Sequence, residues 1–183
     1  MGRILNGSEF MRLVYDSYPA PFGLIRILMD REGVIGAAIT ADQWDKWVTE
    51  FGELDRDEQY CRDAIKQLGE YFSGQRQNFS MPLSVQGPRF SREVWRELLT
   101  IPFGETRSYA EIALAIERPK SYRAVGQANR RNRLPIFIPC HRVIGKDGGL
   151  TGYIGKQYLD IKKYLLEMEK AYLLANQRPK VMG

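Results

Sequence analysis

The sequence predicts an α+β protein in two parts, with strands first and helices after. Three observations carry that expectation. Strand-like apolar runs fill residues 11–40, helical spacing dominates from about residue 90, and the charge changes sign between the two stretches. Residues 1–85 hold 9 basic and 13 acidic side chains, a net of −4, whereas residues 86–183 hold 18 basic and 9 acidic, a net of +9. Such asymmetry points the second half toward a polyanion, although a merely solvated basic surface would look the same. A sharper interval runs from Arg118 to Arg133, with six bases and no acid.

The totals exclude several classes. With 44% hydrophobic and 27% charged residues the composition is that of an ordinary globular protein. No run of about 18 apolar residues exists to form a membrane-spanning helix, and the N-terminus lacks the apolar core of a secretion signal. Two cysteines without such a signal argue for a reducing, intracellular location. One histidine and two distant cysteines make a four-ligand zinc site unattractive, so no metal or cofactor is expected.

Taken in order, residues 1–10 ("MGRILNGSEF") read as a vector-encoded leader, with Met11 as the native start. An N-terminal α/β domain is expected over 11–80. Its runs "MRLVYDSY", "FGLIRILM" and "GVIGAAIT", separated by "PAPFG" and "DREG", predict an antiparallel β-meander. Cys61, Ala64, Ile65, Leu68 and Phe72 then repeat at helical spacing, which makes Cys61 a core residue rather than a reactive one. The polar stretch "SGQRQNFSMPLSVQGP" (73–88) reads as a connection. A helical domain follows over 81–175, and the tail 176–183 is expected to be disordered.

Within the second domain, Ser91 is a candidate cap for a helix carrying Val94, Trp95, Leu98 and Leu99, ended by Pro102. Ser108 and Glu111 form the capping-box pattern of another. "ERPK" breaks it, and Ser121 starts a third helix reaching about Arg131, so the pair makes a helix-turn-helix candidate. At about 100° per residue Arg123, Gln127 and Arg130 share one face of this helix, and Val125 and Ala128 another. Small residues Ala124, Gly126 and Ala128 keep the helix slim enough for close approach to a groove.

The stretch "PIFIPCHRVIG" (135–145) sets the only histidine directly after Cys140. A thiolate nucleophile needs a base or a positive setting. In an extended strand, however, consecutive side chains point to opposite faces. Contact between Cys140 and His141 would require a turn at Pro139, or a water between them. For an isolated Cys-His pair the inert reading would prevail.

The surroundings change that balance. "IPCHRVIG", preceded by "RSYAEIA" and "RAVGQANRRNRLPIFIP" and followed by "GGLTGY", resembles the O6-alkylguanine-DNA alkyltransferases, the single-use DNA repair proteins. The likeness is dense over residues 86–170 and extends to layout alone before that. It implies a ribonuclease H-like first domain and a winged-helix-like alkyltransferase domain. It also implies a monomer that flips O6-alkylguanine out of double-stranded DNA, with O4-alkylthymine left open, and transfers the alkyl group irreversibly to Cys140. By the same resemblance His141 takes the thiol proton through a water, Asn132 supports the turn and the thiol, and Tyr109 donates to the guanine ring nitrogen. Arg123 is the finger that fills the gap left by the base, on a recognition helix of Ser121, Tyr122, Ala124, Gly126, Gln127 and Arg130 that lies in the minor groove. Pro135, Val143 and the loop of Tyr153, Ile154 and Gly155 line the guanine pocket, Ile154 standing where some relatives have a serine. The relay ends on a glutamate of the last helix. Around the stripe Tyr158, Ile161, Tyr164, Leu165, Met168 and Tyr172, Glu169 lies closer to the centre than Glu167, and is the expected member.

Three other readings compete. An alkyltransferase-like protein that recognises the lesion without transfer would carry another residue in place of Cys140. A Cys-His hydrolase oriented by Glu169 leaves the basic helix unexplained, and an architectural minor-groove binder leaves Pro-Cys-His-Arg unexplained.

Overall fold

In the computed structural model, residues 3–4, 11–151 and 158–177 are described. The chain divides into two compact units, one drawn from the part before Gly87 together with Arg133–Phe137, the other from Gly87–Asn132 and the part after Phe137.

The first unit is built on the expected meander. Strands β3 (Val14–Ala20), β4 (Gly23–Asp30) and β5 (Gly33–Ala38) pair antiparallel, and β6 (Asp55–Arg56) adds to the outer edge of β3 in parallel, giving the order β5-β4-β3-β6. A separate two-residue ladder joins β1 (Arg3–Ile4) to β2 (Met11–Arg12). Between β4 and β5 the Asp30 carboxylate accepts from the backbone of Glu32 and Gly33, which closes the turn. Helix α1 (Ala41–Phe51) is additional to the expected elements. Thr40 caps it, and Trp47 drops onto a cluster with Leu13, Leu28 and Ala38. Gly36 makes room for that ring, since a Cβ there would meet it at 2.4 Å. Helix α2 (Glu58–Phe72) is capped by Asp57 and buries Cys61, Ala64, Leu68 and Phe72, as the spacing predicts. Full burial of each large apolar side chain here contributes about 1.5–3 kcal/mol. Burial, helped by Asp16, pushes the Cys61 thiol up to about 12, which keeps it protonated and inert.

The return of Arg133–Phe137 to this unit has no signature in the sequence. The Ala37 N–H donates to the Arg133 carbonyl at 2.8 Å, the Arg133 guanidinium grips Glu50 with bonds of 2.9 and 3.0 Å, and the Phe79 and Phe137 rings lie 4.6 Å apart. Ile136 is held buried at φ 75°, an unfavourable region for a β-branched residue that the surrounding packing must impose.

The second unit is helical. Helix α3 (Arg89–Leu98) starts earlier than its serine suggested: Pro88 is the cap, its fixed φ leading into the first turn, and Ser91 is a buried residue inside the helix. Strand β7 (Arg107–Ser108) leads into α4 (Tyr109–Ala115), where the full capping box of Ser108 and Glu111 is present. Helix α5 (Tyr122–Arg130) follows; its Ser121 hydroxyl donates back to the Arg118 carbonyl instead of capping. Val125 and Ala128 face inward, and the Trp95 indole N–H donates to the Ala128 carbonyl at 2.9 Å, fixing α5 against α3. Helix α6 (Leu159–Gln177) closes the unit and takes in the first two residues of the predicted tail; residues 178–183 lie outside the described residues. Among the described residues no helix is long and apolar enough to cross a membrane.

Candidate active site

The strand geometry that would separate Cys140 from His141 is not what the chain adopts. Residues 136–137 form a turn, and after Pro139 the residues Cys140–Arg142 form a single 3-10 turn in which the Arg142 N–H donates to the Pro139 carbonyl at 3.0 Å. The three side chains fan out from this turn, all buried. A parallel two-residue ladder between β7 and β8 (Val143–Ile144) then ties the turn to the start of α4, which delivers Tyr109 to the same region.

The thiol of the turn meets Asn132, while its other two side chains converge on Glu169. The Asn132 amide donates to Cys140 Sγ at 3.1 Å and to the Ile138 carbonyl at 3.0 Å, so one residue supports both the thiol and the backbone before it. His141 reaches to helix α6. Its Nε2 lies 2.8 Å from Glu169 Oε1, while Nδ1 has no partner among the described residues. Arg142 grips the same carboxylate with Nε and Nη2, both at 2.9 Å, and donates to the Ile101 carbonyl at 2.7 Å. The Gly104 N–H adds a further bond to Glu169 at 3.0 Å; a Cβ at Gly104 would stand 2.9 Å from Leu173. Of the two glutamates weighed from sequence, Glu169 is fully buried in this cluster, and Glu167 is exposed beside Lys163.

The electrostatics follow from burial and from these partners. Burial opposes the Glu169 charge, yet His141 and Arg142 outweigh it and hold the carboxyl well below the usual carboxylate range. Burial lowers His141 against the pull of Glu169, so the imidazole is neutral and Arg142 is the cation that balances the carboxylate. With Nε2–H donated to Glu169, Nδ1 is the lone-pair nitrogen. Burial raises the Cys140 thiol, opposed by the Asn132 donor and by the charge of Lys162.

Lys162 and Arg142 are site members that the sequence reading missed. Lys162 is a fully buried lysine whose Nζ donates to the Val143 carbonyl at 2.5 Å and the Thr151 carbonyl at 3.4 Å, with the Tyr109 ring centre 5.9 Å away. Burial brings its pKa down to about 8. The available signal was the spacing of Lys162, Leu165 and Glu169 at i, i+3 and i+7, one face of α6. The Tyr109 hydroxyl donates to the Thr151 carbonyl at 3.2 Å, and burial raises its pKa.

The remaining candidates divide. Tyr122, Arg123, Ala124, Gln127 and Arg130 lie exposed on α5, Arg123 resting 5.7 Å from the Tyr122 ring centre; Gly126 is half-buried and faces Tyr109. Val143 is buried, its carbonyl held by Lys162. Pro135 is buried within the segment that belongs to the first unit. Tyr153, Ile154 and Gly155, with the rest of the Gly152–Gly155 loop, lie outside the described residues.

Comparison with known proteins agrees over both units. Residues 89–171 match the family described as 6-O-methylguanine DNA methyltransferase, DNA binding domain, and residues 13–85 match its ribonuclease-like domain. The constitutive methylated-DNA–protein-cysteine methyltransferase of Bacillus subtilis is 44% identical over 157 residues, covering 85% of this chain and 94% of that one. The methylated-DNA–protein-cysteine methyltransferase of Methanosarcina acetivorans is 41% identical over 162 residues, covering 86% and 98%. Among solved structures, Mycobacterium tuberculosis O6-methylguanine methyltransferase aligns with a TM-score of 0.79 at 38% identity, and Mycobacterium tuberculosis OGT in complex with DNA with 0.76 at 37%, each covering 87% of this chain and 94% of the other. With both domains matched in order, and relatives above 40% identity covered almost end to end, the chain belongs to the methylated-DNA–protein-cysteine methyltransferase family.

Proposed function

We propose that this protein repairs O6-alkylguanine in duplex DNA by moving the alkyl group to Cys140, once per molecule. The observation that carries the reading is the Cys140 thiol itself. It is held at 3.1 Å by Asn132 beside a neutral imidazole whose Nδ1 has no protein partner among the described residues. The base must leave the stack to reach a buried thiol, at a cost of a few kcal/mol. Arg123, exposed on the basic face of α5, fills the gap, while Arg130, Gln127 and the small residues beside them follow the minor-groove backbone. The second unit carries binding and transfer, and the first is its scaffold. The protein acts as a monomer, needs no metal or cofactor, and works wherever the cell keeps its DNA.

The chemistry balances without an added reagent. The thiol proton passes through a water to His141 Nδ1, whose charge Glu169 relieves across the ring. The sulfur attacks the alkyl carbon, an S–C bond forms, and the O6–C bond breaks. Tyr109, kept protonated by burial, gives its proton to the guanine ring nitrogen, and the relay restores it. The product is a thioether. The other cysteine, Cys61, is itself buried and kept protonated, so nothing resolves the thioether and the protein is consumed.

The test is intact-protein mass after incubation with a duplex carrying one O6-methylguanine. The expected result is a gain of one methyl group, saturating at one per protein and absent in Cys140→Ala. Binding without a mass gain would move the chain to the recognition-only class, and repeated turnover would favour hydrolysis. The pH dependence is a further expected result. Because His141 is lowered, the acid limb of the single-turnover rate should lie below the ordinary imidazole value of 6.5. The alkaline limb should set in near pH 8, where Lys162 loses the charge that stabilises the thiolate. Stopped quench assays across that range would read both limbs.

A further inference from the structure

We infer that Asn129 is a positioning residue for the Tyr109 hydroxyl, holding the phenol oxygen as its proton leaves for the base. The inference rests on the function proposed above and adds a residue to it. Gly126 and Asn129 stand at i and i+3 on helix α5, and Asn132 follows three residues later in the turn after it. At one end of this row the Tyr109 ring lies against Gly126, where a Cβ would stand 3.8 Å from ring carbon Cε1. At the other end the Asn132 amide holds Cys140 Sγ. Asn129 therefore stands in the chain midway between the residue that lies against the phenol and the residue that holds the thiol.

Its amide is in an unusual state. Both Nδ2 and Oδ1 are shielded from solvent, and neither has a hydrogen-bond partner among the described residues. Leaving such groups unpaired costs about 1–3 kcal/mol each. The side chain nevertheless lies close enough to the Tyr109 oxygen to pull the phenol pKa down against burial. In the free protein the hydroxyl's own proton goes to the Thr151 carbonyl at 3.2 Å. When the hydroxyl turns from Thr151 to the ring nitrogen of a flipped guanine, its lone pairs come round toward Nδ2. The Asn129 N–H then donates to the phenol oxygen. As the S–C bond forms and the O6–C bond breaks, the phenol proton goes to the ring nitrogen, and the transient phenolate is stabilised by that donor until the thiol's proton restores it.

The test is a double-mutant cycle read as single-turnover methyl transfer from an O6-methylguanine duplex. Asn129→Leu keeps the shape and removes the donor, and Asn129→Ala is the second variant; each is made with Tyr109 and with Tyr109→Phe. Because the amide is unpaired in the free protein, Asn129→Leu should raise the unfolding midpoint rather than lower it, and both variants should keep the affinity for undamaged duplex. The expected result is a loss of about tenfold with Tyr109 present and under about twofold in the Tyr109→Phe background. Equal losses in both backgrounds, or no loss in either, would overturn the inference while leaving the alkyl transfer intact. A wild-type protein that gains no methyl group would overturn the underlying function as well, so the two failures are told apart in the same assay.

Discussion

Glu169→Gln is expected to lower the unfolding free energy by about 3–5 kcal/mol, because it strips the only carboxylate hydrogen-bonded to a buried guanidinium among the described residues. The substitution keeps the side-chain shape, so the loss reports the charge and not a cavity. Arg142 would be left as a buried cation against a neutral amide, and the His141 ring would lose the acceptor that sets its tautomer. Urea unfolding at neutral pH measures the stability loss; Glu167→Gln, on the exposed face of the same helix, should leave the midpoint unchanged. The pH dependence has a definite sign. A carboxyl whose folded pKa is depressed stabilises the protein above its ordinary pKa, and that stabilisation drains as pH falls toward the folded value. The gap between wild type and Glu169→Gln should therefore begin to narrow as pH falls below the ordinary carboxyl value of 4.5 and should close only in strong acid. A gap that stays constant down to that range would mean that the ion pair is not what Glu169 contributes. Methyl transfer should fall as well, since an imidazolium formed at Nδ1 would lose its counter-charge.

Arg123→Ala is expected to slow methyl transfer from duplex DNA by about a hundredfold, the equivalent of roughly 2.7 kcal/mol, within the few kcal/mol that base extrusion costs. The side chain is exposed on α5 with its guanidinium over the neighbouring Tyr122 ring, so its removal leaves the core untouched and the unfolding midpoint should not move. Transfer from a single-stranded oligonucleotide, where no partner base is left unstacked, should change far less. Equal slowing on both substrates would assign Arg123 to phosphate contact, and a correspondingly shallower salt dependence would then be seen for both.

Those two positions show how differently the site was written into the chain. Arg123, Gln127 and Arg130 could be placed together because a helix repeats by a fixed angle, and Val125 and Ala128 named the buried side. The same angle separated Glu169 from Glu167 on α6. The capping box at Ser108 was legible because its two bonds are local. Ser91 misled because proline at 88 supplies a helix start that a serine only resembles. Helix α1 went unassigned although Trp47 and Phe51 recur at its spacing, and β6 is too short, at two residues, to leave a pattern.

By itself the sequence determined the α+β order of elements, the inert setting of Cys61, the basic face of α5 and, through the Pro-Cys-His-Arg context, the family resemblance that singles out Cys140. These rest on contacts between near neighbours or on periodicity, both of which a linear string records. Only the tertiary structure decided where His141 points, that Arg142 and Gly104 share the Glu169 carboxylate, that Lys162 is buried beside Tyr109, and that the shielded Asn129 amide has no hydrogen-bond partner among the described residues. Each of these depends on chain segments brought together across tens of residues. A lysine or an asparagine whose charge or amide is answered by a distant backbone carbonyl, or by nothing, looks in sequence like any other polar residue on a helix.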